Sequence, residues 1–165
     1  MSPAFIALGG NLGDRAGFLV RAVERLRERG LSILRLSHFY ETRPEGNRDE
    51  PLYLNAVCEA EVSEEPRGIL KLLREVETEL GRSPVDRSGP RTVDLDLLSV
   101  GDLVVEEPPE LVVPHPRMHR RSFVLVPLCE LDVHWRHPTL GRTAGELLAE
   151  LSTVPGEVRL HGARG

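Results

Sequence analysis

Lysine is nearly missing from this chain: of its 21 basic residues only Lys71 is a lysine, and the other 20 are arginine. A phosphate loop that depends on lysine is thereby nearly ruled out, and any anion must be held by guanidinium forks. Cysteine is scarce too. Cys58 and Cys129 build neither a disulfide framework nor, without histidine, a four-ligand zinc site, so both are read as reduced core thiols. A long apolar run is also lacking: the N-terminal stretch has no basic flank and is too short for a signal peptide or a membrane span, which makes the cytoplasm the expected compartment. With 26 acidic residues the net charge is −5, so no basic field holds nucleic acid non-specifically, and an anion site must be local. What remains, 40% hydrophobic and 28% charged over 165 residues, excludes a disordered or fibrous chain and fits one globular domain over 1–165.

Residues 4–8 are a short apolar run closed by Gly9-Gly10-Asn11-Leu12-Gly13-Asp14, a buried strand stopped by a glycine turn. Over 15–29, Leu19, Val23 and Leu26 recur at helical spacing, and Gly30 is placed to cap the end. Residues 31–42 alternate, with Leu34, Leu36, His38 and Tyr40 on one side, and read as one strand; 43–51 is a loop. From Leu52 the period of two places Leu54, Ala56, Cys58, Ala60 and Val62 on one face and Tyr53 and Asn55 on the other. A helix over 63–80 buries Ile69, Leu72, Leu73, Val76 and Leu80, carries Glu77 on the rim and stops at Gly81. After an arginine-rich loop at 82–91, residues 92–100 alternate again, with Val93, Leu95 and Leu97 opposite Asp94 and Asp96.

Strand, helix, strand, strand, helix, strand is the order of a ferredoxin-like plait (βαββαβ), an α+β fold with its helices packed on one sheet face and the other face left for function. The C-terminal additions are a hairpin near Val104 and Val105, a proline-rich link at 108–116, an apolar segment at 122–131 and a helix from Thr143 with a capping box to Glu146. No repeat or domain linker is visible.

Asp94 and Asp96, two apart on a strand, point the same way with Cα atoms roughly 6.5 Å apart. Oxygen ligands so placed suit one or two magnesium ions bridging substrate phosphates, the alternative being a solvated strand face. Arg82, Arg87 and Arg91 before the strand, with His115, Arg117, Arg120 and Arg121 after it, could neutralise a triphosphate and favour the anionic ligand. Tyr53 beside Asn55 offers a ring and a carboxamide to a flat, hydrogen-bonding heterocycle, or is merely an edge pair touching water. The Gly9–Gly13 turn has neither a Walker lysine nor Rossmann spacing and is read as a structural turn lining a pocket. His115 and His119 are separated by Pro116 and have no further ligand cluster, so zinc is not expected. Two classes stay open: an enzyme acting on such an anionic ligand, a nucleotidyl transferase being one form of it, and a non-catalytic ligand-sensing plait. Paired acids backed by arginines favour an enzyme.

Four segments taken in order go further: Ala7-Leu8-Gly9-Gly10-Asn11-Leu12-Gly13-Asp14; Tyr40-Glu41-Thr42 through Tyr53-Leu54-Asn55-Ala56; Gly89-Pro90-Arg91-Thr92-Val93-Asp94-Leu95-Asp96-Leu97-Leu98; and Val113-Pro114-His115 through Arg121-Ser122-Phe123. Together they make the chain resemble, over almost its whole length, the 6-hydroxymethyl-7,8-dihydropterin pyrophosphokinases of folate biosynthesis. The resemblance implies transfer of the β,γ-diphosphate of ATP to the pterin hydroxymethyl group with release of AMP, using two Mg2+ ions. It implies Asp94 and Asp96 as metal ligands and, with Arg82 and Arg91, as the catalytic set. Glu77, Arg82, Arg91, Leu98, His115 and Arg121 are implied on ATP, and Thr42, Tyr53, Asn55 and Phe123 on the pterin, with the two rings stacking. The segment from Gly81 to Pro90 is expected to close as a lid carrying Arg82. No nucleic acid or membrane partner is expected.

Overall fold

The computed structural model describes residues 2–43, 52–81, 92–151 and 158–161. Residues 82–90 of the expected lid, with Arg82 and Arg87, and Arg91 after it, lie outside the described residues. Strand β1 (Ser2–Gly10) has β4 (Tyr53–Val62) on one side and β5 (Asp94–Val100) on the other, both antiparallel to it. Beyond β4 lie β2 (Ser32–Leu36) and β3 (Tyr40–Thr42), and β8 (Val158–Leu160) adds a short edge strand to β3. The result is an α+β fold on an antiparallel six-stranded sheet. Helix α1 (Arg15–Glu28) follows β1 through the glycine turn, where Asp14 caps it by accepting the Gly17 amide at 3.1 Å. Helix α2 (Pro66–Glu79) starts with proline in its first turn and is followed by Gly81 at φ +104°, a left-handed conformation that only glycine adopts cheaply.

The predicted strand over 31–42 is two strands. At Ser37 the side chain enters the ladder: its Oγ accepts the Val57 amide at 3.0 Å while its own N–H donates to the Val57 carbonyl at 2.9 Å. Pairing with β4 stops there and resumes at Tyr40. The face assignment also differs, since a register shift between Ile33 and Arg35 leaves Ile33 buried and Leu34 half exposed.

Helices cover both faces of the sheet, not one. On the first face α1 and α2 press Leu19, Val23, Leu26, Ile69, Leu73 and Val76 onto Ile6, Leu8, Leu54, Cys58, Leu95 and Leu97. On the second, α3 (Ser122–Asp132) and α4 (Ala144–Glu150) cover Phe5, Val57 and Leu98 with Val124, Leu125, Leu128, Ala144 and Leu147. The physical reason is that the second face turns apolar beyond Asn55 and Asp96, and side chains such as Phe5 and Leu98 must be taken out of water. Among the described residues, the ends of β1, β4 and β5 that carry Gly9, Tyr53, Asn55, Asp94 and Asp96 border an open cavity. The capping box appears as expected: Thr143 Oγ1 accepts the Glu146 amide and Glu146 accepts the Thr143 amide. The hairpin is β6 (Val105–Glu107) with β7 (Leu111–Val113). No described helix is long and apolar enough to cross a membrane.

Candidate active site

Gly9 is the pivot of the site. It sits on β1 between Asn55 of β4 and Asp94 of β5, with Asp96 next along, opposite Ala7. A methyl group at Gly9 would stand 2.9 Å from Asn55 Oδ1, so the missing side chain is what lets the carboxamide lie over the strand. Asn55 is buried, and its Nδ2 donates to Thr42 Oγ1 at 2.7 Å. That bond fixes the carboxamide plane and leaves Oδ1, beside Gly9, and the Thr42 hydroxyl proton to a ligand.

Two cavities open here. The first, about 340 Å³, is lined by Gly9, Thr42, Tyr53, Asn55 and Phe123, a strand-borne ring and a helix-borne ring around fixed polar groups. The second, about 370 Å³, is lined by Arg74, Leu97, Leu111, Val113 and His115. Asp94, Asp96, Arg117 and Arg121 line both. The acids therefore stand where the two cavities meet, which is where a group must sit to pass from one ligand to the other.

The cations around that junction are held in distinct ways. Arg121 precedes α3, and its guanidinium lies over the Phe123 ring, 5.5 Å from the centroid. His115 is anchored by its N–H donating to the Leu98 carbonyl at 2.8 Å, and its Nδ1 accepts the Arg117 amide at 3.1 Å. Burial, reinforced by the charges of Arg121 and Arg117, pushes the His115 imidazole down to about 4. It is therefore neutral at pH 7 with its proton on Nε2, a donor suited to a phosphate oxygen. Leu98 lines neither cavity: its side chain lies in the core under α3 and its carbonyl places His115.

Glu77 is buried rather than at a rim, and it lines neither cavity. Its Oε2 accepts the Leu95 amide at 2.6 Å, while Arg74, 3.1 Å from Glu77 Oε1, donates to the Leu95 carbonyl at 2.7 Å. Both backbone groups of the residue between the two acids are thus held by α2, where an edge strand would otherwise leave them to water. Arg74 was not singled out from sequence. It looks like one more charge on a helix surface, and its spacing of three from Glu77 was the available signal.

A sequence model of the 7,8-dihydro-6-hydroxymethylpterin-pyrophosphokinase family matches residues 5–133. The chain belongs to that family. It is 43% identical over 129 residues to the 2-amino-4-hydroxy-6-hydroxymethyldihydropteridine pyrophosphokinase of Bacillus subtilis, covering 78% of this chain and 77% of that protein. With the Aquifex aeolicus protein of the same name the identity is 34%, over 94% of this chain and 96% of that one. A Pneumocystis carinii folic acid synthesis protein is 39% identical over 83% of this chain, which spans only 18% of that longer protein. Among solved structures, a wild-type Plasmodium falciparum HPPK-DHPS superposes with a TM-score of 0.71 over 90% of this chain and 44% of that chain; at 15% identity this likeness speaks for the fold alone.

If Asn55 bonds the pterin as the resemblance implies, Gly9→Ala is expected to push its carboxamide aside and weaken pterin binding about tenfold, without melting the sheet, since the glycine has an ordinary strand backbone. Calorimetry of pterin binding beside a thermal melt checks both halves of that expectation.

Proposed function

We propose that this chain transfers the β,γ-diphosphate of ATP to the hydroxymethyl group of 6-hydroxymethyl-7,8-dihydropterin and releases AMP, as a magnesium-dependent diphosphotransferase of folate biosynthesis. The observation that carries this reading is the shared wall: a ring-lined cavity and an arginine- and histidine-lined cavity meet at Asp94 and Asp96. The pterin lies in the first cavity, stacked on Tyr53 and Phe123, with its edge bonded by Asn55 Oδ1 and the Thr42 hydroxyl. The triphosphate lies in the second, met by His115 Nε2–H and the Arg121 guanidinium, and by Arg82 and Arg91 from the preceding loop. Glu77 and Leu98 act on the nucleotide at one remove, Glu77 through the backbone of β5 and Leu98 through His115. The strand order of 2–100 supports reading that segment as a ferredoxin-like plait whose second strand is broken into β2 and β3, within one domain over 1–165.

The donor set fits magnesium. Among the described residues no three His, Cys, Asp or Glu side chains cluster as a metal cage. Two carboxylates on one strand face leave most of a coordination sphere to phosphate and water oxygens, which is how Mg2+ is usually held. When bound, two such ions supply charge neutralisation at the phosphates and acidify the attacking hydroxyl. The chain's own residues do the positioning: the stacked pterin presents its hydroxymethyl oxygen at the wall, and the bond from that oxygen to the β-phosphorus forms as the bond from the β-phosphorus to the AMP oxygen breaks. We place the protein in the cytoplasm, where its two thiols, both free among the described residues, stay reduced, with small-molecule substrates and neither nucleic acid nor membrane as partner.

The site reading is tested by stacking. Tyr53→Leu and Phe123→Leu are each expected to weaken pterin binding by roughly 1–3 kcal/mol, the range for a base on an aromatic ring, and to spare ATP affinity largely. Calorimetry in the presence of magnesium and a non-hydrolysable ATP analogue reads both affinities. Unchanged pterin binding in Phe123→Leu would remove that ring from the site.

A further inference from the structure

The break at 37–39 presents donors that a continuous strand would have kept for the sheet. The His38 N–H donates to Glu130 of α3, 3.0 and 3.1 Å from its two carboxylate oxygens. His38 Nδ1 lies 2.8 Å from Glu130 Oε2 and, because a carboxylate only accepts, carries the proton. The Tyr40 hydroxyl donates to Oε1 at 2.7 Å. One carboxylate thus takes three donors from residues 38–40. Next to it the Leu131 carbonyl accepts Arg35 Nη1 at 2.5 Å, so this end of α3 is tied to both β2 and β3. Burial pushes the Glu130 carboxyl up, but the bonds from Tyr40 and His38 together hold it below the usual carboxylate range. Burial and the same bond push the Tyr40 hydroxyl up, which keeps it a donor.

The two elements joined here are those that frame the ring-lined cavity. Phe123 stands two helical turns before Glu130, about 10 Å along α3. On the other side Tyr40 lies opposite Asn55 in the β3–β4 ladder, and Thr42, bonded to Asn55, lies opposite Tyr53. We propose that Glu130 is a positioning residue: by binding residues 38–40 it holds α3, with Phe123, at a set distance from β3, with Thr42, and so fixes the width of the pterin cavity. This rests on the assignment of that cavity to the pterin.

The test is steady-state kinetics with each substrate varied in turn for Glu130→Gln, Tyr40→Phe and the double variant. Glu130→Gln puts an amide N–H toward donors and is expected to raise the KM for pterin about five- to tenfold, with the KM for ATP moving less than about twofold. Tyr40→Phe is expected to raise the pterin KM about two- to fourfold, and the double variant less than the product of the two, since both remove the same bond. If Glu130→Gln does not fold, Tyr40→Phe decides by the same split. A pterin KM that stays put, or pterin and ATP constants that shift together with a lowered Tm, would overturn the proposal and leave Glu130 a tie for α3 only. A wild-type protein with no pterin-dependent turnover would instead sink the functional reading, so the two failures are distinguishable.

Discussion

Asp96→Ala is expected to lower turnover by about a thousandfold or more at saturating magnesium, because in the proposed site it removes an oxygen ligand from the point where charge develops. Asp94→Ala should behave alike. Both acids are partly exposed on β5, and the packing of that strand rests on Leu95 and Leu97, so the melting temperature should move by no more than a few degrees. ATP binding measured without metal should weaken little, and it should lose most of its enhancement by Mg2+. Near-normal, magnesium-dependent activity in Asp96→Ala would show that the metal is held elsewhere.

Arg121→Ala should have the next largest effect, about a hundredfold to a thousandfold in kcat/KM for both substrates, because this guanidinium borders both cavities and lies over Phe123. Lysine should restore only part of the loss, since an ammonium cannot lie flat on the ring or bind phosphate through two parallel N–H groups. The variant also has a titration signature. Removing a positive charge that depresses the His115 imidazole should raise its pKa from about 4, but only part of the way to the ordinary value, because burial is the larger cause and is unaltered. NMR titration of His115 in the two proteins reads the shift, and an unmoved pKa would separate Arg121 from His115.

Much of this site was legible in residue order because a strand sorts side chains by parity. Asp94 and Asp96 fell on one face and Tyr53 and Asn55 on another by counting alone, and the ladder through Gly9 then brings those faces together. The split of 31–42 was not legible, since it depends on the Ser37 hydroxyl replacing a backbone group in pairing with Val57, a contact twenty residues away. The face shared by Leu34, Leu36, His38 and Tyr40 was not legible either: one irregularity in β2 leaves Ile33 inside and Leu34 outside. The cover over the second face was half visible, in that 122–131 is apolar enough to need a surface to bury against. Which surface depends on Phe5, Val57 and Leu98 lying together, and only the assembled sheet supplies that. Glu77 and Leu98 were assigned to the nucleotide by resemblance, yet their own contacts lead to the Leu95 and His115 backbones. Motif position gives proximity to a site, while the direction of a side chain depends on neighbours from other elements.

The measurement that reaches the central claim most directly is the phosphorus balance of one reaction. ATP, 6-hydroxymethyl-7,8-dihydropterin and Mg2+ are incubated with the protein and followed by 31P NMR and chromatography. A site whose acids sit between the pterin and the β-phosphorus predicts one AMP for each pterin diphosphate formed, with both the β- and γ-phosphorus on the pterin product and no turnover in EDTA. Formation of ADP with a single phosphate on the pterin, or release of pyrophosphate with AMP joined to the pterin, would contradict it.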